Sequence, residues 1–182
     1  MSTTTTILPS VTSAIPREGG ERFDLGGVGF RWKIDGLLTS GRFSVVHNLI
    51  APRTLVAPLH LHRREDEYTF VLAGTLGTLL GEEVVSADQG TWLFKPRAQW
   101  HTLWNAGDIP CEIIEVISPA GFENYFREIA TIGRDLTKLL EINRKYELEM
   151  DFMSVPGLCA RFGLTFLQDE QKTGCTAEPS GL

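Results

Sequence analysis

The chain has 182 residues, 42% of them hydrophobic, and carries 17 basic against 23 acidic side chains, for a formal net charge of −6. This length supports one good-sized hydrophobic core. The acidic balance, with basic residues clustered only at Arg63-Arg64, argues against a nucleic-acid partner. No apolar run approaches the length of a membrane span, so no membrane partner is expected. Met1–Thr6 has neither the positive charge nor the apolar stretch of a secretory signal. Cys111, Cys159 and Cys175 lie far apart without a CxxC pair, which predicts free thiols in a reducing cytoplasm.

Residues 1–20 are rich in Ser, Thr, Pro and Gly, and read as a flexible tail with one short strand at Thr6-Ile7-Leu8. From Val28 to Ser118 the chain is a series of short strand-like runs: Phe30–Ile34, Phe43–Leu49, Glu67–Ala73, Thr75–Leu80, Glu83–Ser86, Thr91–Phe94, His101–Trp104 and Cys111–Ser118. Turn signals separate them at Gly81-Glu82, Asp88-Gln89-Gly90 and Asn105-Ala106-Gly107-Asp108. Many short strands at regular spacing predict an all-β antiparallel barrel or sandwich, here over 21–120. After Pro119 the period becomes helical. Phe122, Tyr125, Phe126, Ile129 and Ala130 form one apolar face, expected to pack against the barrel. Leu136, Leu139 and Leu140, with Tyr146, suggest a second helix. Val155, Leu158, Cys159 and Phe162 suggest a third, with Ser154 as N-cap and Pro156 in its first turn. This helical extension is expected over 121–168, with a flexible polar tail over 169–182.

Three of the four histidines lie in two short stretches with metal-ligand spacing. His60 and His62 are two apart, so on a strand both leave the same face. Glu67 follows after a charged run and opens the strand-like Tyr68–Leu72, and the second stretch ends at His101. Imidazole and carboxylate donors together suit one divalent transition metal per chain: Fe, Mn, Ni, Co, Cu or Zn.

These stretches resemble the two motifs of the cupin superfamily. The first is G-x5-H-x-H-x3–4-E-x6-G, and His60, His62, Glu67 and Gly74 fit it, with Thr54 in place of the first glycine. The second is G-x5-P-x-G-x2-H-x3-N, and Gly90, Pro96, His101 and Asn105 fit it, with Ala98 in place of the internal glycine. That alanine puts a positive φ at the turn in doubt. The segments Ser40–Ser44 and Ser118–Glu123 look most like single-domain cupins related to quercetin dioxygenase. The resemblance implies a double-stranded β-helix, an antiparallel jelly-roll barrel followed here by helices, in which His60, His62, Glu67 and His101 bind the metal. Asp66 is an alternative carboxylate at the shorter spacing.

Alternation then outlines a pocket. Thr69, Val71 and Leu103 are expected on the inner face, closed by Phe43 or its neighbours and by one of Trp92 or Phe94. Arg63, Arg64, Glu65 and Asp66 read as solvated rim charges. His47 is either a proton-transfer residue beside the site or an ordinary surface or core histidine. Glu115 is expected to face outward on an edge strand; an inward position would make it a candidate general base. The expected activity is that of a metal-dependent dioxygenase-type oxidoreductase acting on a hydrophobic or aromatic small molecule, with Glu67 also accepting a proton. A redox-neutral isomerase, cyclase or decarboxylase, or a non-catalytic small-molecule-binding protein, are the alternatives. An inward Glu115 or His47 would favour redox-neutral chemistry, which needs a proton shuttle. A homodimer is expected, as in cupins of this kind, with Phe23, Phe30 and Trp32 available for its interface.

Overall fold

Alternation of more and less buried side chains marks the strands over 28–34, 66–73, 92–95 and 111–118 in the computed structural model, which describes residues 14–133 and 135–167. In chain order the strands are β1 (Glu21–Leu25), β2 (Val28–Ile34), β3 (Ser44–Ile50), β4 (Thr54–Leu55), β5 (Leu59–His62), β6 (Asp66–Ala73), β7 (Thr75–Leu80), β8 (Glu83–Asp88), β9 (Trp92–Lys95), β10 (His101–Asn105), β11 (Cys111–Ser118), β12 (Leu148–Asp151) and β13 (Thr165–Phe166). A 3-10 turn, Gly36–Thr39, links β2 to β3, and the helices are α1 (Glu123–Ile129), α2 (Leu136–Lys145) and α3 (Ser154–Phe162). The expected short strand at Thr6–Leu8, both tails and Cys175 lie outside the described residues.

Two sheets close on a shared core to form an antiparallel jelly-roll barrel. The first runs β1-β2-β3-β11-β6-β9. In the second, β10 has β5 and β4 along one edge and β7, then β8, along the other. The segment expected to be a helical extension adds two strands to this second sheet. β12 pairs with β5 at Leu148–His62 and Met150–His60, and β13 pairs in parallel with β4. Both are too short to show a period in the sequence.

Strand β11 shows how position in the sheet decides which side chains turn inward. Cys111, Ile113, Glu115 and Ile117 are buried in one phase, while Glu112, Ile114, Val116 and Ser118 are half-buried in the other. β11 lies between β3 and β6, so it is not the edge strand expected of it. Glu115 therefore faces inward and is only 7% exposed. Strand β9 also has apolar residues in both phases. Leu93 and Lys95 point in, while Trp92 and Phe94 are 61% and 52% exposed. Neither aromatic closes the pocket. A one-residue change of phase sends every side chain of a strand to the other face.

Two turns need a left-handed backbone. Gly74 has φ 78°, and a Cβ there would meet Pro110 O at 3.0 Å. Ala98 takes φ 61° although it has a Cβ. Its amide donates to His62 O at 2.7 Å, which holds the turn against the metal-motif strand and outweighs the cost of the conformation.

The helices cover the open end and outer wall of the barrel. On α1 and at its start, Phe122 and Tyr125 are buried, and Phe126 packs on Phe23, Phe30 and Trp32 at ring-centroid distances of 5.7, 4.6 and 5.6 Å. Phe30 and Trp32 are thereby buried within their own chain and are not free for a dimer interface. Glu123 begins α1 and accepts from Gly36 N at 3.0 Å and Gly121 N at 2.8 Å. In α2, Asp135 caps the N-terminus by accepting from Lys138 N. The buried residues of this helix are Ile142 and Asn143, whereas Leu136 and Leu140 of the expected apolar face are exposed. α3 packs Leu158 on Leu55 and Trp104, with Phe162 stacked on Trp104 at 4.3 Å. Ser154 lies in the first turn of α3 rather than at its cap, and its hydroxyl donates to Asp151 O. Among the described residues no helix is long and apolar enough to cross a membrane.

Candidate metal centre

Strand β5 presents His60 and His62 from one face, and β10 brings His101 directly opposite His60. The ring centroids lie 4.4 Å (His60–His101), 5.2 Å (His60–His62) and 5.6 Å (His62–His101) apart. One ligand nitrogen from each ring falls within 4.8 Å of the other two. The outer nitrogens determine which inner ones are free. His60 Nδ1 is 2.8 Å from Pro58 O, and His101 Nδ1 is 2.9 Å from Gln99 O. A carbonyl only accepts, so each Nδ1 carries a hydrogen, which leaves Nε2 as the ring nitrogen that can ligate a metal. His62 Nδ1 faces a carboxylate instead, Glu65 Oε2 at 3.6 Å. Glu65 is thus buried beside a candidate ligand and is not a rim charge. The other three of that run do lie toward solvent: Arg63 pairs with Glu149, Arg64 with Glu147, and Asp66 with Arg97.

Glu67 stands beside two of the three histidines, with Oε2 3.1 Å from His101 Nε2 and Oε1 3.5 Å from His62 Nε2. It also begins a buried line of charge. Lys95 Nζ lies 2.7 Å from Glu67 Oε2 and 2.5 Å from Glu115 Oε1. Glu115 accepts in addition from Thr69 Oγ1 at 3.0 Å and from Asn48 Nδ2 at 2.9 Å. Burial works to raise the Glu67 carboxyl, but the Lys95 ammonium and the neighbouring histidines outweigh it and hold Glu67 well below the usual carboxylate range. Burial likewise works to lower Lys95, and the two carboxylates outweigh it. Glu67 is an anion and Lys95 a cation at neutral pH. For His60, burial and the charges of His101 and His62 push the imidazole well below its ordinary value, so it stands neutral and ready to ligate.

A cavity of about 420 Å³ opens from this cluster toward α1 and α2. His60, His62, Glu67, Lys95 and Glu115 form its inner end, and Val46, Leu103, Ile117, Phe122 and Phe126 line its wall. Of the residues expected to line it, Leu103 does so. Thr69 and Val71 are fully buried, Thr69 against Glu115 and Val71 in the core. Phe43 is half-buried away from the cavity, and Phe94 stacks on Tyr68 outside the barrel. His47 occupies the other face of β3, bonded to Glu112 at 3.0 Å. Lys95 and Glu65 were missed as site residues. The signal for Lys95 was its alternation with Leu93. It was obscured because Trp92 and Phe94, in the opposite phase, are the more apolar pair.

Residues 46–117 match the Cupin domain family. The barrel has the cupin fold. Over 88 residues the chain is 36% identical to a mannose-1-phosphate guanylyltransferase of Salmonella muenchen, covering 43% of this chain and 18% of that protein. Over 73 residues it is 32% identical to the tetracenomycin polyketide synthase protein TcmJ of Streptomyces glaucescens, covering 40% and 48%. The matches thus span less than half the length of these relatives. The polyketide cyclase RemF of Streptomyces resistomycificus has a similar fold, with a TM-score of 0.53 and 19% identity, covering 59% of this chain and 80% of its own.

The residues of this site fit a divalent ion. His101 Nε2 is buried and completes no hydrogen bond, although Glu67 Oε2 lies 3.1 Å away. Lys95 already balances the carboxylate, but nothing satisfies the imidazole nitrogen, and a cation within reach of the three rings would do so. His60, His62 and His101 would hold it, and their imidazoles suit Zn, Cu, Fe or Ni.

Proposed function

We propose that this cupin is a metal-dependent enzyme that performs redox-neutral proton transfer, of the isomerase or cyclase kind, on an apolar or aromatic small molecule carrying a carbonyl group. One observation carries the reading: Glu115, a carboxylate, lines the cavity beside Lys95 and the histidine cluster. A bound divalent ion would supply Lewis acidity to a substrate oxygen. The protein's own residues do the rest. The Val46, Leu103, Phe122 and Phe126 wall takes the apolar body and excludes water. Glu115 accepts a proton from the carbon next to the carbonyl. The C–H electron pair moves toward the carbonyl oxygen; where a C=C bond adjoins that carbon, the anion extends over it, the same carboxyl returns the proton to the far carbon of that bond, and the double bond shifts into conjugation with nothing oxidised. Lys95, Thr69 and Asn48 fix the carboxylate for that exchange. The sequence relationship to a polyketide synthase protein supports an aromatic or polycarbonyl substrate.

The dioxygenase reading rests on the resemblance to quercetin dioxygenase and on the apolar wall; the wall suits either chemistry, and a shared fold does not choose between reactions. The deciding experiment incubates zinc-loaded protein with a panel of aromatic β-dicarbonyl compounds in deuterated water under anaerobic conditions. Deuterium entering next to the carbonyl, and lost in Glu115→Gln, is the expected result. Product that forms only with O2 and a redox-active metal overturns the proposal in favour of a dioxygenase. Binding without exchange or product would instead mark a small-molecule-binding protein.

A further inference from the structure

We infer that Lys95 is a resident counter-cation of the metal centre. It balances Glu67 and Glu115 in the metal-free barrel and weakens the binding of a divalent ion when one arrives. The inference rests on the metal-dependent reading above and concerns a side chain that reading uses only to fix Glu115.

Position is dictated by the sheet. Lys95 on β9 is the direct cross-strand partner of Glu67 on β6, and Glu115 on β11 is the partner of Thr69, two residues along β6. All three side chains share the inner face. Lys95 is only 2% exposed, and lysine is almost never buried without charged partners. Here it has two, at 2.7 and 2.5 Å. Without the ammonium, two carboxylates would face one another in a dry interior, so the lysine stabilises the empty site. The same charge opposes a dication. An ion at His60, His62 and His101 sits next to Glu67, whose other neighbour is already an ammonium. The donor is partly neutralised, and the ammonium repels the incoming charge directly.

The charges predict opposite signs for two substitutions. Lys95→Met removes the competing cation and should tighten zinc binding at least about tenfold, given the weak screening inside a protein. It should also lower the melting temperature of the metal-free protein, with zinc restoring it. Glu115→Gln leaves the ammonium with one carboxylate instead of two, so its repulsion grows, and zinc binding should weaken by about three- to tenfold. The Lys95→Met/Glu115→Gln double variant should bind zinc more tightly than Glu115→Gln alone. A purely structural role for Lys95 would make both single variants bind more weakly.

The measurement is a competition titration of zinc against a fluorescent chelator, with no substrate present. Tighter binding by Lys95→Met together with weaker binding by Glu115→Gln supports the inference. Equal or weaker binding by Lys95→Met overturns it. If Lys95→Met does not fold without zinc, the double variant, which removes the facing carboxylate together with the ammonium, is titrated against Glu115→Gln, and binding no tighter than that of Glu115→Gln overturns the inference. Wild-type protein that binds no zinc would instead refute the metal centre itself.

Discussion

Phe122 ties the helical cover of the barrel to the metal site, and its removal should be felt in both. The residue is 4% exposed. Its ring meets the His62 imidazole edge-on at 4.4 Å, stacks on Tyr125 at 4.9 Å and meets Phe126 at 5.6 Å. Phe-to-Ala changes in cores cost about 3–5 kcal/mol. One side of this ring already faces the cavity and has fewer contacts to lose, so about 3 kcal/mol is expected for Phe122→Ala. Phe122→Leu keeps most of the volume and should cost about 1 kcal/mol. A domain of this size has roughly 10 kcal/mol or more in reserve, so both variants stay folded at 25 °C. Urea denaturation measures the loss as a lower midpoint at unchanged slope. In the same variant His62 loses the wall that fixes its ring, and zinc affinity should fall by about tenfold, as when other supports of a ligand are removed. A loss below about 1 kcal/mol would refute the packing argument, and unchanged zinc affinity would refute the link to the site.

Replacing both His60 and His101 by Ala should abolish zinc binding while circular dichroism of the barrel persists; full occupancy by elemental analysis would contradict the site. Ala98→Gly relieves a left-handed backbone and should raise stability by about 0.5–1 kcal/mol in urea. Asp35 caps the 3-10 turn by accepting from Leu37 N and pairs with Arg127. Burial works to raise its carboxyl, but these two partners outweigh it, so its pKa in the folded protein lies below that of the unfolded chain. Its contribution is therefore complete above about pH 4 and is lost as pH falls through the lower folded value. Asp35→Asn should cost about 0.5–1 kcal/mol at pH 7 and progressively less below pH 4 in pH-dependent denaturation. A homodimer is also proposed, with contact through the exposed Tyr68, Phe94 and Trp92 rings on the outer face of β6 and β9. Light scattering should give twice the chain mass, falling toward the monomer in Trp92→Ser/Phe94→Ser; a wild-type monomer at micromolar concentration would refute it.

Much of the barrel was legible without coordinates. The runs over Thr75–Leu80 and Cys111–Ser118 carry enough β-branched and apolar residues between turn signals to define β7 and β11 to the residue. The spacing of His60, His62 and His101 was legible for a simpler reason. Side chains two apart on a strand share a face whatever surrounds the strand, so local geometry alone aligns His60 with His62. The short strands β12 and β13 were not legible, because their pairing with β5 and β4 comes from partners distant in sequence.

By itself the sequence determined the strand-rich class, the helical change after Pro119 and the histidine set, all of which depend on residue type and short-range periodicity. Only the tertiary structure decided which phase of β9 and β11 turns inward, because both phases carry apolar residues and neighbouring strands settle the choice. That decision put Lys95 and Glu115 at the inner end of the cavity and left Trp92 and Phe94 outside. The chemistry proposed for the site follows from it: a buried ion pair forms only where strands far apart in the chain bring opposite charges into one dry space.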